Sequence, residues 1–168
     1  MLTISEVKSD IEILAVQSLI QEFTTWAISL LNGSENAPTF NKLEEELATL
    51  PGIYAPPSGH LLLALQDEQP AGCVALLAHS RYTCEMKRFY VRPTFRGHGI
   101  GWELLKVLFD LARQDGYKRM VLDSHHSMKK AHELYRAVGF QEVNAPANFP
   151  EDLKPFVVFM ECDLIESS

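Results

Sequence analysis

The sequence predicts an α/β protein of the α+β kind, with one mixed, mostly antiparallel and twisted sheet of about seven strands and helices on both faces. Apolar segments in the middle of the chain are joined by short turns, which is typical of antiparallel hairpins. Two helical patterns with a short apolar strand between them follow, which is typical of a β-α-β unit. The chain has 168 residues, and we expect residues 1–168 to form a single domain with a full core.

The first part of the chain predicts one strand and two helices. Alternating apolar residues at 2–7 predict a short strand, and Ser9-Asp10-Ile11-Glu12 is a capping box that begins a helix. That helix is expected to end near Asn32-Gly33, because this pair is a good C-cap. A second, shorter helix follows a similar cap at Asn41-Lys42-Leu43-Glu44 and stops at Pro51-Gly52.

The later elements follow from alternation, turn residues and helical spacing. The apolar run at 120–123 is short and predicts a strand that is buried on both faces. Ser127 is expected to cap the last helix, and Gly139 to end it. The predicted elements are strands at 60–65, 71–78 and 84–91, a helix at 100–114, a strand at 120–123, a helix at 128–138, and strands at 140–143 and 156–164.

Composition and charge exclude several classes of protein. The net charge of −7 is not that of a nucleic-acid binder, so we expect no nucleic-acid partner. No apolar run approaches the roughly 18 residues of a membrane span, and the start of the sequence does not resemble a secretory leader. We therefore expect no membrane partner and a cytoplasmic location. The cysteines Cys73, Cys84 and Cys162 lack C-x-x-C spacing, so we expect reduced thiols and no metal site.

A glycine-rich turn before the third helix is the candidate anion site, with the sequence Arg96-Gly97-His98-Gly99-Ile100-Gly101. Glycines let the backbone approach a ligand closely, and the first turn of a helix offers unpaired N–H groups and a positive dipole end. The spacing matches neither G-x-G-x-x-G nor G-x-x-x-x-G-K-[ST]. Basic residues at Lys87, Arg88 and Arg92 lie nearby in sequence, so an anion site fits this acidic protein.

The strand before this turn predicts a β-bulge. Met86, Phe89 and Val91 are all expected in the core, but they cannot share one face of a strand with a period of two. One extra residue at about Lys87-Arg88 would bring them to the same face. The alternative is a regular strand with Met86 half exposed.

Two segments carry a resemblance to a known family. The pattern R-x-x-G-x-G, after a strand that ends in Tyr90-Val91-Arg92-Pro93, resembles the acetyl-coenzyme A loop of the GNAT N-acetyltransferase superfamily. The stretch 131–140, AHELYRAVGF, resembles the A-x-x-L-Y-x-x-x-G-F segment of that family. The predicted order of elements is also similar, and the resemblance is strongest from Cys84 to Phe140. It implies an enzyme that transfers an acetyl group from acetyl-coenzyme A to a primary amine.

The resemblance assigns roles to the bulged strand and to one tyrosine. It implies that the strands splay at the bulge, and that the backbone of Phe89, Tyr90 and Val91 pairs with the pantetheine arm. A backbone N–H of Phe89 or Tyr90 would stabilise the oxyanion. Tyr135 would act as the general acid that protonates the departing sulfur. Its alternative is a tyrosine packed between helix and sheet.

The resemblance also leaves one departure from the family pattern. Many relatives carry an asparagine that touches the cofactor where this chain has Met128. Ser127 is the candidate to supply that hydrogen bond. Lys129 or Lys130 is the candidate to meet the phosphates of the coenzyme, and a solvated helix start is the alternative.

The base has several candidates. Glu85 lies eleven residues before Arg96, the spacing at which histone-acetylating members of the superfamily place their glutamate base. The alternative is a surface glutamate that pairs with Lys87. His125 and His126 could relay a proton through water, although two polar loop residues are the simpler interpretation.

Two other functions stay open from the sequence. A non-catalytic acyl-coenzyme A-binding regulatory module would keep the glycine turn but could lose the acid, so Tyr135 favours an enzyme. A structural α/β protein is disfavoured because several segments match. The acceptor could be an antibiotic, a polyamine, an amino acid or a peptide N-terminus, and a homodimer is left open.

Overall fold

The protein, described here by a computed structural model over residues 1–29 and 42–165, follows the predicted order of elements. The expected end of the first helix at Asn32-Gly33 and the Asn41 cap position lie outside the described residues. In chain order the elements are β1 (Leu2–Glu6), α1 (Asp10–Ser29), α2 (Leu43–Ala48), β2 (His60–Gln66), β3 (Gln69–Ala78), β4 (Thr83–Val91), α3 (Ile100–Gln114), β5 (Arg119–His125), α4 (Lys129–Val138), β6 (Gln141–Val143) and β7 (Val157–Asp163).

The seven strands form one sheet in the order β1-β2-β3-β4-β5-β7-β6. Every neighbouring pair is antiparallel except β4 and β5, which run parallel. The predicted fold class, a mixed and mostly antiparallel sheet, is therefore confirmed. The β4–β5 pairing ends at Glu85↔Val121, although β4 continues to Val91 and β5 to His125. The two strands thus splay apart, as expected, in the middle of the sheet.

Two hydrophobic cores cover the two faces of the sheet. Successive strand residues point to opposite sides, so the strands present apolar side chains on both faces of the sheet. Helices α1 and α2 pack on one face, and α3 and α4 pack on the other. The core under α1 includes Val16, Leu19, Leu61, Leu63, Cys73 and Tyr90. The core under α3 includes Leu62, Leu76, Met86, Leu104, Leu108, Met120 and Leu122.

The ends of the helices follow the predicted caps in two cases and not in a third. The Ser9 hydroxyl accepts the Glu12 N–H at 3.2 Å, and the Glu12 carboxylate accepts the Ser9 N–H at 2.9 Å, which confirms the capping box. Gly139 ends α4 with φ 116°. The prediction that Ser127 caps α4 is wrong: Met128 holds the N-cap position, and the Ser127 hydroxyl lies 2.7 Å from Nδ1 of His125 instead.

Strand β5 differs from its prediction in length and in burial. It spans Arg119–His125, and only Met120 and Leu122 are buried. The other face carries Val121 and Asp123, and Asp123 is exposed. The expectation of burial on both faces was wrong because β4 leaves β5 beyond Val121 and opens that face of the sheet.

The predicted bulge in β4 is confirmed. Cys73 of β3 pairs with Tyr90 and Ala75 pairs with Lys87, so a single β3 residue opposes two residues of β4. Arg88 takes φ 57°, in the left-handed region that side chains rarely adopt. The extra residue brings Phe89 to the side of the α3 core. The Cys73 thiol donates a hydrogen bond to the Arg88 carbonyl at 3.3 Å.

A buried ion pair joins this bulge to α2. The Arg88 side chain is 2% exposed and donates to both oxygens of the Glu46 carboxylate, from Nε to Oε2 at 2.8 Å and from Nη2 to Oε1 at 3.0 Å. Burial alone would raise the pKa of Glu46, but the hydrogen bonds and charge of Arg88 outweigh it and lower the pKa. The bulge is thus tied to a helix on the opposite side from α3.

We expect Glu46→Gln to destabilise the protein by about 3–5 kcal/mol, because it removes the carboxylate charge that the buried Arg88 guanidinium binds through two hydrogen bonds. The matched control is Glu151→Gln, which removes an exposed carboxylate paired with Lys154 at 2.6 Å and should cost about 0–1 kcal/mol. Urea unfolding at neutral pH measures both changes. Equal losses in the two variants would contradict the structural role of the buried pair.

The same pair predicts a direction for pH dependence. The folded-state pKa of Glu46 is depressed, so its contribution is present above the unfolded-state pKa of about 4.3 and is lost as pH falls through the folded value. The stability difference between wild type and Glu46→Gln should therefore shrink below about pH 4. A difference that stays constant down to pH 2.5 would contradict this linkage.

Candidate functional site

A cleft of about 620 Å³ opens where β4 and β5 separate. Its walls come from the bulged part of β4, the turn before α3, the end of β5, the start of α4 and one side of α1. The volume lies within the roughly 300–1,000 Å³ of small-molecule sites. This cleft is the candidate active site.

The site residues predicted from the sequence converge on this cleft, with one exception. His98 is exposed and does not contribute to the lining, whereas its glycine neighbours do. The predicted residues that line the cleft are Glu85, Phe89, Tyr90, Val91, Arg96, Gly97, Gly99, Ile100, Gly101, Ser127, Lys130 and Tyr135.

The glycines of the turn serve two different purposes. Gly97 and Gly99 have φ values of 83° and 80°, and a Cβ on either would meet nothing within 4 Å, so the space in front of them is open. Gly99 is the N-cap of α3 and no side chain caps that end, which leaves N–H groups available to a ligand. Gly101 is packed instead: a Cβ there would lie 3.0 Å from the Phe89 ring and 3.2 Å from Leu134.

Two of the four basic residues expected near the anion site are held by carboxylates. Arg88 pairs with Glu46, and Arg92 pairs with Glu22 of α1 through Nη2–Oε1 at 2.8 Å. Arg92 also donates to a backbone carbonyl at the start of β3. These contacts attach α1 and α2 to β4, so both arginines position the walls of the cleft.

Arg96 stands at the entrance of the glycine turn. Its Nε donates to the Val91 carbonyl at 2.9 Å, and its guanidinium lies over the rings of Tyr90 at 5.8 Å and Trp26 at 5.9 Å. These contacts hold a cation beside the N-terminus of α3. An anion at that terminus would contact both the guanidinium of Arg96 and the unpaired N–H groups of the helix.

Tyr135 lies buried at the base of the cleft. Its ring contacts those of Phe89 and Phe140, each at 5.9 Å between centroids. No residue of the described part of the chain hydrogen-bonds its hydroxyl. Burial raises the pKa of this phenol well above its usual value, so it stays protonated and can donate a proton at neutral pH.

Glu85 has a histidine as its partner. The carboxylate is 13% exposed, and its Oε1 lies 2.5 Å from Nε2 of His79 at the end of β3. The pairing with Lys87 that the alternative interpretation required is not found among the described residues. His79, which the sequence analysis did not single out, is 47% exposed and therefore joins Glu85 to solvent.

A second carboxylate in the cleft was missed from the sequence. Asp123 lines the cleft on β5, two residues beyond the Glu85↔Val121 pair. Its carboxyl is open to the cleft but surrounded by protein on the sheet side, and this burial and the charge of Glu85 raise its pKa to about 6. The available signal was a carboxylate that ended an otherwise apolar strand.

His125 and Ser127 form a small hydrogen-bonded unit at the end of β5. The Ser127 N–H donates to His125 Nδ1 at 3.2 Å, and the serine hydroxyl contacts the same nitrogen. Burial and the neighbouring His126 lower the pKa of His125, so the neutral ring is favoured. The His126 ring contacts that of His125 at 4.6 Å between centroids, tilted by 37°, but His126 does not line the cleft.

The described residues contain neither a cluster of metal-binding side chains nor a membrane-spanning helix. Within 1–29 and 42–165, no three or more histidine, cysteine or acidic side chains are grouped so that they could hold a metal ion. Over the same residues, no helix has the length and apolar character needed to cross a membrane.

Known proteins resemble both the sequence and the fold. The profile of the Acetyltransferase (GNAT) family matches residues 20–140. An uncharacterised N-acetyltransferase of Schizosaccharomyces pombe is 36% identical over 128 residues, which cover 75% of this chain and 77% of that protein. A structure from Klebsiella pneumoniae assigned as an acyl-CoA N-acyltransferase superposes with a TM-score of 0.73 at 26% identity, over 98% of this chain and 99% of the other.

A third similarity bears on the fold alone. The PaiA N-acetyltransferase of Thermoplasma acidophilum, solved in complex with coenzyme A, is 17% identical with a TM-score of 0.73 and matches 97% of this chain and 99% of its own. The splayed sheet, the glycine turn and the matched profile agree with one another. The chain is therefore a member of the GNAT family of acyl-CoA-dependent acetyltransferases.

Proposed function

We propose that the protein transfers an acetyl group from acetyl-coenzyme A to the primary amine of a small molecule or peptide by direct attack, without an acyl-enzyme. The observation that carries the proposal is the cleft at the splay. It brings the glycine turn, the bulged backbone of β4 and the buried phenol of Tyr135 to one cavity.

The coenzyme has a matching surface along one wall of this cleft. The pyrophosphate would meet the N-terminus of α3 at Gly97 and Gly99, beside Arg96. Lys130 at the start of α4 would approach the phosphates, and Ser127 the pantetheine amide. The pantetheine arm would fill the gap beyond Glu85↔Val121, where the β4 backbone lacks β5 as a partner.

The chemistry follows from groups along the same wall. The amine nitrogen attacks the thioester carbonyl, and a backbone N–H of Phe89 or Tyr90 stabilises the negative oxygen of the tetrahedral intermediate. The C–S bond then breaks and Tyr135 protonates the sulfur, which leaves as a thiol. Glu85 takes part in removing the proton of the amine.

A non-catalytic acyl-coenzyme A-binding module is the second candidate. The cleft, the turn and the cation of Arg96 would serve binding equally well. The hydroxyl of Tyr135 argues against it, because no described residue hydrogen-bonds it and it borders the cleft. The cytoplasmic location and the homodimer stay predictions.

The direct test is thiol release from acetyl-coenzyme A by the purified protein. The amine panel is spermidine, L-aspartate, kanamycin and a short peptide with a free N-terminus. The proposal expects amine-dependent release with at least one of them, together with an acetylated product in the mass spectrum. Tight coenzyme A binding without release for any primary amine tried would favour the binding module.

Gly99→Asn should weaken acetyl-coenzyme A binding by about 10-fold or more, or about 1.4 kcal/mol, because the new side chain enters the space that the pyrophosphate would use. Asparagine tolerates positive φ, so the backbone is retained. Gly116→Asn is the matched control, since Gly116 has φ 91°, open space in front of it and a position at the other end of α3. Calorimetry that gives equal affinities for the two variants would place the coenzyme elsewhere.

Tyr135→Phe should lower turnover by ~10²-fold or more, the usual scale for a positioned proton donor. Stability and coenzyme binding should change little, because no described residue would lose a hydrogen bond. Tyr117→Phe is the control: it deletes a buried hydroxyl that donates to the Ser58 carbonyl at 2.6 Å, so it should cost about 1 kcal/mol and leave turnover unchanged. Near-wild-type turnover of a folded Tyr135→Phe protein would remove the acid role.

A further inference from the structure

Two carboxylates face the cleft from the side of the sheet opposite to Tyr135. The buried residues of β4 and β5 on the α3 side are Met86 and Leu122, so their strand neighbours point to the other face. Glu85 pairs directly with Val121, and the two side chains share that face. Asp123 follows on the same face, two residues nearer the splay.

Position along the strands separates the two carboxylates. Two residues of strand span about 6.6 Å, so Asp123 lies about that far along β5 beyond the last pair, Glu85↔Val121, in the direction in which β4 runs to its bulge at Arg88. The proposed oxyanion donors follow that bulge directly. Asp123 is therefore the carboxylate nearer to the point of attack, and Glu85 lies one step further from it.

A path leads from these carboxylates to solvent. Glu85 is already bonded to His79 at 2.5 Å, and His79 is half exposed at the end of β3. A proton that reaches Glu85 can thus leave through the imidazole. Glu85 by itself, engaged with His79 and set back from the bulge, is in a better position to pass a proton on than to receive one from the amine.

We propose that Asp123 takes the proton of the acceptor amine and passes it through Glu85 and His79 to bulk water. The inference rests on the proposed function, and it implies an acceptor that enters as a cationic ammonium group. Asp123 removes one proton before attack. The nitrogen loses a second proton to the same relay as the intermediate collapses, while Tyr135 gives its proton to the sulfur and regains one from water. The net products are the amide, the thiol and one released proton.

The charges around Asp123 suit this role. Burial and then the charge of Glu85 raise its pKa, whereas Lys87 and Arg88 of β4 and His79, just after β3, act to lower it. On its own strand the next titratable group on this face is His125, whose neutral form is favoured. On the neighbouring strand β7, the residue paired with Asp123 is Phe159, which adds no charge. The result, a pKa of about 6, leaves a carboxylate that is ionised at neutral pH and more basic than an ordinary one.

A titration tests the proposal without an acceptor. In protein labelled with ¹³C at aspartate carboxyls, the resonance missing from Asp123→Asn identifies Asp123. Its midpoint should lie near pH 6 in wild type and move to lower pH in Glu85→Gln, because the like charge is removed. A wild-type midpoint near 4, the value of a free aspartate, would overturn the proposal.

Kinetics provide the second test, with whichever amine of the panel gives the fastest thiol release. Asp123→Asn should lower kcat by ~10²-fold at pH 7.5 with unchanged coenzyme A affinity. Glu85→Gln should lower kcat by a smaller factor, and the acidic limb of its pH–rate profile should move to lower pH. Asp110→Asn, on the solvent side of α3, is the matched control and should retain wild-type turnover.

The outcomes separate the inference from the proposed function. If wild type releases thiol and Asp123→Asn does so equally well, the inference fails and the acetyltransferase stands. A larger loss in Glu85→Gln than in Asp123→Asn would likewise transfer the proton acceptor to Glu85. If wild type releases no thiol with any amine, the proposed function fails, and the inference fails with it.

Discussion

The buried contact between Arg88 and Glu46 is the constraint on which the site depends. A non-glycine residue with positive φ is unfavourable, and a buried guanidinium without a counter-charge is more so. Arg88 has both the positive φ and the buried guanidinium. Its ion pair with Glu46 supplies a counter-charge and joins the bulge of β4 to α2. The bulge turns Phe89 toward α3, and beyond it β4 runs apart from β5. The cleft is thus a product of strand geometry, and the helices close its sides.

The sheet divides the proposed chemistry between its two faces. The proposed acid, Tyr135, comes from α4 on the α3 side, where burial keeps the phenol protonated. The carboxylates Glu85 and Asp123 stand on the opposite face, where partial burial and mutual repulsion raise the pKa of the latter. A thioester in the gap between the strands would therefore have a proton donor on one side and a proton acceptor on the other.

Local patterns predicted much of this structure. The capping box at Ser9, the bulge at Arg88 and the element order all follow from residue spacing over a few positions. The family resemblance singled out Tyr135 as a candidate site residue, and this residue lines the cleft. The sequence could not reveal that Asp123 faces the cleft, because its exposure depends on where a neighbouring strand stops pairing. The bond from His79 to Glu85 was missed for a similar reason, since it joins the ends of two strands. Both failures concern contacts across the sheet.

The most direct measurement of the central claim is a crystal structure with acetyl-coenzyme A or a non-hydrolysable thioether analogue. The account predicts that the pantetheine arm pairs with the β4 backbone after the bulge and that the pyrophosphate binds at the N-terminus of α3. It also predicts that the sulfur lies within hydrogen-bonding distance of the Tyr135 hydroxyl. A coenzyme bound outside the splay, or a sulfur directed away from Tyr135, would contradict the account.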